Sequence, residues 1–476
     1  MNIVFIASEM APYAKTGGLA DVLCALPPAI KERGHAVSVI LPFYRSVAEH
    51  LKSRILTDIQ ITVKLGNQNL IARIWEATAS NGVRLFLVQR DEFFDRSYLY
   101  GNVYGDYEDS AARFVFFSKV AVELLRYIEP HPDIVHLHDW QTGLIPGLIR
   151  AQGLPVKTVF TVHNLAYQGN FWSHDFALSN LDASYFTPRS YEFFERFNLM
   201  KGAILMAHQV TTVSPQYALE IQTPDLGCGL HQVLLEHSFK LSGILNGINL
   251  EDWDPEKDKH LNQCFSLRRM TGKVACKSWL QKKLKLEEKE VPLFACIARL
   301  ASQKGYDLMA KVLDDFLAQH DVQMVFMGEG DQFYQNYLEA LQKKFKSKVK
   351  VLIEFNETLS HQIVAGADFF LVPSRYEPCG LTQMYSQRYG TIPVVHAVGG
   401  LKDTVTPWKA ETGEGTGLVF HAYEPAALNL ALKEALHLYA QKEQMTLIRK
   451  KMMSLDFSWD RSAEKYETVY QRALAS

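Results

Sequence analysis

The chain has 476 residues, with 50 Lys plus Arg set against 52 Asp plus Glu and a formal net charge of −2. That length exceeds what one hydrophobic core usually supports, so two domains are expected. The near-neutral balance gives no bulk field for nucleic acid or an anionic membrane, so any anion has to be bound locally.

In chain order, the opening Met1-Asn2-Ile3-Val4-Phe5-Ile6-Ala7 lacks a basic segment and is too short for a signal peptide or a membrane span. It reads as a first buried strand. Further runs rich in Val, Ile and Phe fall at residues 36–41, 134–137, 158–162 and 209–213, with helix-length amphipathic stretches between several of them. The rhythm restarts at 292–297 and continues at 324–327, 349–353, 369–372 and 392–395. This predicts an α/β protein of two Rossmann-like, doubly wound parallel-sheet domains facing a cleft, which is the expected ligand site. The boundary is placed at the apolar run ending in Asn246-Gly247, with domains at 1–243 and 244–456. Segment 251–290, rich in Lys and Glu, reads as a solvated helical surface. Six scattered cysteines (Cys24, Cys228, Cys264, Cys276, Cys296 and Cys379) form no Cys-x-x-Cys pair, which argues against zinc and disulfides and for a reducing cytoplasm.

Each half opens with a strand followed by a loop carrying Lys and Gly ahead of a helix: Lys15-Thr16-Gly17-Gly18, then Lys304-Gly305. Such a loop can hold phosphate with backbone N–H groups, a helix dipole and a mobile cation, although strand-to-helix turns also use Gly for backbone reasons alone. Neither is a Walker A sequence, and no Gly-x-Gly-x-x-Gly follows the first strand. Lys15 is either a phosphate ligand or a solvated surface charge, and Asp21 either a ligand or a helix-end carboxylate. Leu19, Val22, Leu23, Leu26 and Ile30 form a core stripe, which Pro27-Pro28 should kink or end.

The run 98–117 is unusually aromatic, with Tyr98, Tyr100, Tyr104, Tyr107, Phe114, Phe116 and Phe117. Aromatic faces suit sugar rings, but Phe114 and Phe117 share a helical face, so about half of these side chains are expected in the core. Two apolar strands end in polar residues, His138-Asp139 and His163-Asn164, which the ligand-at-carboxyl-end rule places at the site. His136 reads as a core histidine. One carboxylate with two distant histidines and no His-Glu-x-x-His motif gives no metal centre. Arg299 and Lys304 flank the turn after strand 292–297, so a planar fork and a compact charge can converge on a diphosphate. In Glu377-Pro378-Cys379-Gly380-Leu381-Thr382 a carboxylate precedes a helix N-terminus; Glu377 either accepts sugar hydroxyls or caps the helix. Cys379 has no base beside it and reads as a small, space-limited residue.

With these residues in view, the chain resembles the family of bacterial glycogen synthases and plant starch synthases over nearly its whole length. The motifs are Lys15-Thr16-Gly17-Gly18-Leu19-Ala20-Asp21-Val22, His138-Asp139-Trp140, His163-Asn164, Leu245-Asn246-Gly247-Ile248, Arg299-Leu300-Ala301-Ser302-Gln303-Lys304-Gly305 and Glu377-Pro378-Cys379-Gly380-Leu381-Thr382-Gln383. The resemblance implies the GT-B fold and a C-terminal helical stretch (457–476) packing back on the first domain; a monomer or weak homo-oligomer is expected. It also implies retaining transfer of glucose from ADP-glucose to an α-1,4-glucan such as glycogen, without metal or organic cofactor. Carried over, it assigns Arg299 and Lys304 to the diphosphate and Lys15 and Gly18 to the same phosphates. Asp139, Asn246 and Glu377 take glucose hydroxyls, and the His163 backbone lies near the anomeric centre. Asp21, Asn164, Cys379, Gly380, Leu381 and Thr382 complete the donor site, and Phe355 stacks on adenine where a Tyr is usual in the family. Relatives of the wider fold carry a second glutamate where this chain has Tyr385. A transferase using UDP-glucose and a glucan-binding protein without turnover are the competing readings.

Overall fold

The computed structural model describes residues 1–51, 53–102 and 105–476. The chain divides into two compact units, Met1–Gly247 with Trp459–Ser476, and Ile248–Ser458. Both are α/β layers, the first on a mixed sheet and the second on a parallel one.

The first unit is built on nine strands: β1 (Asn2–Ile6), β2 (Ala36–Pro42), β3 (Arg54–Leu65), β4 (Gln68–Thr78), β5 (Arg84–Gln89), β6 (Ile134–His138), β7 (Lys157–Val162), β8 (Gln209–Thr212) and β9 (Leu241–Gly243). Their order in the sheet is β9-β8-β7-β6-β1-β2-β5-β4-β3. The central strands β1 and β6 are buried along their whole length, as a sheet covered on both faces requires. From β1 the chain winds outward through β2 and β5, and from β6 through β7, β8 and β9, so the order reverses between β1 and β6. The loops after those two strands carry Lys15 and Asp139.

Strands β3 to β5 were not anticipated. β3 and β4 pair antiparallel across a tight turn at Gly66 (φ 57°), and β3 alternates buried with exposed positions instead of reading as one apolar run.

The second unit has six strands: β10 (Leu293–Ile297), β11 (Gln323–Met327), β12 (Val349–Leu352), β13 (Phe369–Val372), β14 (Ile392–His396) and β15 (Leu418–Phe420). All pairings are parallel and the order is β12-β11-β10-β13-β14-β15, the Rossmann winding. Its reversal lies between β10 and β13. The loops after these strands carry Arg299 with Lys304, and Glu377.

The prolines do not end the first helix, and one further expectation fails. Pro27 and Pro28 lie inside one continuous helix, Gly18–Glu32, whose Leu26, Pro27, Ala29 and Ile30 are buried. Packing of that face outweighs the backbone hydrogen bonds the prolines cannot make. Segment 251–290 is no bare solvated surface either. Asp258 is buried and bonded to His361 and Tyr389, Trp253 is sandwiched between His361 (3.7 Å) and Tyr385 (3.9 Å), and Lys273 is buried against the Ala365 carbonyl and the Thr391 hydroxyl. Tyr385 is thus a stacking residue.

Unit one ends four residues beyond position 243, where a Cβ on Gly247 would meet the Trp459 backbone nitrogen at 2.7 Å. The helix beginning at Trp459 buries Ala463, Tyr466, Val469, Tyr470 and Ala473 in the core of the first unit. Its Glu467 pairs with Arg33 and His35. Among the described residues no helix is long and apolar enough to cross a membrane.

Candidate active site

In the first unit the site is organised by a residue that sequence reasoning missed. Glu9, 4 % exposed just beyond β1, accepts from the Thr16 amide (2.7 Å), the Thr16 hydroxyl (2.7 Å), the Gly17 amide (3.2 Å) and the Tyr100 hydroxyl (2.7 Å). One buried carboxylate therefore pins the lysine-glycine loop. The clue was present, because Glu9 also ends an apolar strand. Lys15 donates to Asp21 at 2.6 Å, so both are partnered while staying partly exposed. A Cβ at Gly18 would meet nothing within 4 Å, and Gly18 has no left-handed φ. The fold of this unit does not itself require glycine there.

At the ends of β6 and β7, His163 donates its backbone N–H to Asp139 at 2.8 Å, and Asp139 holds a left-handed backbone (φ 56°). Such a conformation is costly for a non-glycine residue and concentrates at functional sites. Burial pushes the Asp139 carboxyl up to about 7, with the backbone N–H groups of His163 and Asn164 pulling the other way. Burial drives His163 down to about 3, and it is neutral at pH 7.

His138 does not project into open space as expected. It is fully buried, held well below the usual histidine range by burial, and its Nδ1 shares a 2.9 Å hydrogen bond with His163 Nε2. His136 is a core histidine between Tyr470 (2.9 Å) and Thr161 (2.7 Å). Asn164 accepts from the Ala166 amide at 3.1 Å. Asn246 belongs to this first unit, is 7 % exposed, and its Oδ1 has no hydrogen-bond partner among the described residues. A buried acceptor left unpaired costs free energy, which a ligand donor would remove.

The aromatic run is more deeply core than expected. Phe114, Phe116 and Phe117 are all fully buried, and Arg113 is buried among them, donating to the carbonyls of Phe93 and Leu99. Tyr98 is exposed, Tyr107 lies under Arg96 and Arg113, and Tyr104 falls outside the described residues.

In the second unit Lys304 donates to Glu377 Oε2 at 2.6 Å, and Ser374 donates to the same oxygen at 2.9 Å. The Glu377 side chain is 8 % exposed and that of Lys304 is 23 % exposed. No side chain caps the helix Thr382–Arg388, so Glu377 is not its cap. Two loops from neighbouring strands are locked here. Gln303 accepts from the Arg375 amide at 2.8 Å through its carbonyl, and a Cβ on Gly305 (φ 82°) would stand 2.1 Å from the Pro373 carbonyl oxygen. His396 Nδ1 bonds the Ser374 carbonyl at 2.8 Å. Arg299 is exposed, reaching only Gln303 at 3.4 Å, and so does not share the Glu377 carboxylate with Lys304. Cys379 is 5 % exposed, which fits its reading as a space-limited residue. Gly380 (φ 70°) tucks under Gln383, and Leu381 and Thr382 begin the helix. Phe355 is 68 % exposed in the loop after β12.

In each unit polar side chains gather at the point where the strand order reverses, the place where open α/β sheets bind ligands. Residues 2–236 match the family model of the starch synthase catalytic domain, and residues 278–452 that of glycosyl transferases group 1. A glycogen synthase of Anaeromyxobacter sp. (strain Fw109-5) is 43 % identical, with 100 % of each chain covered. The chain belongs to the glycogen synthase family. Glycogen synthase 2 of Geobacter sulfurreducens is 41 % identical over 99 % of each chain. Among solved structures, the catalytic domain of starch synthase IV from Arabidopsis thaliana, bound to ADP and acarbose, superposes with a TM-score of 0.91 at 36 % identity, covering 100 % of this chain and 99 % of that one. Sucrose-phosphate synthase from Thermosynechococcus elongatus (TM-score 0.61, 17 % identity, 100 % of this chain and 99 % of that one) shares the fold. Membership of the glycogen synthase family makes this a glycosyltransferase of GT-B fold.

Proposed function

We propose that this enzyme transfers glucose from ADP-glucose to the non-reducing end of an α-1,4-glucan with retention at the anomeric carbon, as a step of glycogen synthesis. The observation that carries the reading is the Lys304–Glu377 pair at 2.6 Å beside the reversal of the second sheet. It combines a cation suited to phosphate with a carboxylate suited to sugar hydroxyls. Support for adenine comes from the ADP bound to starch synthase IV of Arabidopsis thaliana.

In this reading the diphosphate draws Lys304 and the exposed Arg299, whose charges stabilise the departing ADP. Lys15 and Gly18 close on the same phosphates with Asp21 orienting Lys15, and the open space around Gly18 leaves room for that approach. Asp139, Asn246 and Glu377 accept from glucose hydroxyls, Asn246 with its unpaired buried oxygen. Asn164 and the backbone at His163 face the sugar. Cys379, Gly380, Leu381 and Thr382 present small or amide-bearing positions to the donor, and Phe355 stacks on adenine. The acceptor 4-hydroxyl attacks from the face the phosphate leaves; its oxygen bonds the anomeric carbon, the carbon–phosphate oxygen bond breaks, and the leaving phosphate takes the proton. The six free cysteines support a reducing cytoplasm as the setting, with turnover requiring no more than a monomer or weak homo-oligomer.

Radiolabelled glucosyl incorporation into glycogen from ADP-glucose and from UDP-glucose in parallel tests donor choice, and NMR of the first product tests retention. Preference for UDP-glucose or an inverted product would overturn the corresponding part.

A further inference from the structure

His138, the last residue of β6, is fully buried, so whatever it does at the site it does through a neighbour. That neighbour is His163, whose Nε2 lies 2.9 Å from His138 Nδ1. His163 is held a second time, by its backbone N–H on Asp139 at 2.8 Å, and its other ring nitrogen, Nδ1, has no hydrogen-bond partner among the described residues. His138 has nowhere else to turn. Its Nε2 is sealed from solvent without a partner among the described residues, and the adjacent His136, with ring centroids 4.3 Å apart, is already committed to Tyr470 and Thr161.

Burial holds both rings of the pair below the usual histidine range, so both are neutral at pH 7 and a single hydrogen lies between them. Two arrangements are open. If His163 donated, His138 would carry its own hydrogen on Nε2, an N–H group buried without an acceptor. If His138 donates from Nδ1, its Nε2 is a bare lone pair instead. An orphaned buried N–H is the rarer of the two in folded proteins, so the hydrogen belongs to His138 Nδ1. A neutral imidazole carries one N–H, and His163, accepting at Nε2, then carries its own on Nδ1.

We propose that His138 is a positioning residue that fixes the tautomer of His163: by donating to Nε2 it leaves Nδ1–H as a standing hydrogen-bond donor to an oxygen of the donor sugar. The proposal rests on the reading that His163 lies at that sugar. A donor preset by its protein partners costs no reorganisation when the reaction proceeds, whereas in the other tautomer the same nitrogen could only accept.

The test uses the full chain labelled with heavy-nitrogen histidine at pH 7, the His163 signals being assigned by their loss in His163→Gln. The wild-type NMR spectrum should show a protonated Nδ1 and a bare Nε2 for His163. A His163 protonated on Nε2 overturns the proposal, whatever the variants do. His138→Asn keeps an N–H donor near the position of Nδ1, so it should hold that tautomer and keep kcat for transfer from ADP-glucose to glycogen within about threefold of wild type. His138→Leu removes the donor and should lower kcat roughly ten- to hundredfold while KM for ADP-glucose moves by less than about threefold. Leu as fast as wild type, or Asn as slow as Leu at equal Tm, overturns the positioning role. Wild-type turnover by His163→Gln takes His163 away from the sugar, which overturns the reading beneath the proposal while the tautomer spectrum stands.

Discussion

Replacing Lys304 by Met removes the cation from a carboxylate that is 8 % exposed. Glu377 then keeps only the Ser374 hydroxyl of its two donors. Removing one partner of a fully buried pair costs about 3–5 kcal/mol, and the 23 % exposure of Lys304 lets solvent screen part of that, leaving roughly 2–3 kcal/mol. For a unit of this size that lowers Tm by roughly 4–12 °C, at about 2–4 °C per kcal/mol. Glu377→Gln keeps the shape and an acceptor and should cost about 1 kcal/mol. The double variant should be less destabilised than the sum of the singles by about 1–2 kcal/mol. Calorimetry of the four proteins closes the cycle, with glucosyl transfer measured in parallel. Lys304→Met should lower kcat by roughly 10²–10³-fold if the amine stabilises the departing phosphate. A Tm within 1 °C of wild type would show, to roughly the precision of such scans, that the pair is not a buried one, and undiminished turnover would remove Lys304 from the leaving-group site.

Gly18→Ala should leave Tm within about 1 °C, because nothing lies within 4 Å of the new Cβ, yet lower turnover at least about tenfold if the donor phosphates approach that backbone; thermal melts with donor assays separate the two. Gly305→Ala should do the opposite kind of damage, destabilising by about 3 kcal/mol or more, since its Cβ would stand 2.1 Å from the Pro373 carbonyl oxygen in a left-handed backbone. Asp139→Asn changes the pH profile of stability. The folded-state pKa of Asp139, about 7, lies above the ordinary aspartate value of 3.8, so its contribution is full below pH 4 and is lost as pH rises through 7. The Asn variant lacks that loss, so its stability relative to wild type should climb between pH 4 and 7 by up to ~1.4 kcal/mol per pH unit, read from Tm against pH. A flat difference would show that Asp139 is ionised throughout. Glu9→Gln should weaken the hold on the Thr16 and Gly17 amides and raise KM for the donor more than it lowers Tm, by donor titration and melting.

The two sheets were legible where burial covers both faces: strands β1, β6, β7, β10, β11 and β13 read as short apolar runs because they sit centrally in their sheets. β3 and β4 were not, because an edge hairpin with one wet face mixes charged and apolar residues, and β15 is only three residues long. Residues at strand ends, such as Asp139, Lys304 and Glu377, could be named because the α/β winding sends every parallel strand's carboxyl end to one side. Glu9 obeyed the same rule and was overlooked for want of a motif around it.

The amino-acid order by itself determined the α/β class and the family resemblance, since these depend on periodicity and local spacing. Only the tertiary structure decided that Lys304 is held by Glu377 across 73 positions of chain, that His138 turns inward to His163, and that a carboxylate at position 9 pins the loop at 15–17. The first two partnerships form between strands that neighbour each other in the sheet and not in the sequence, so no local pattern encodes them, while the third closes a single loop.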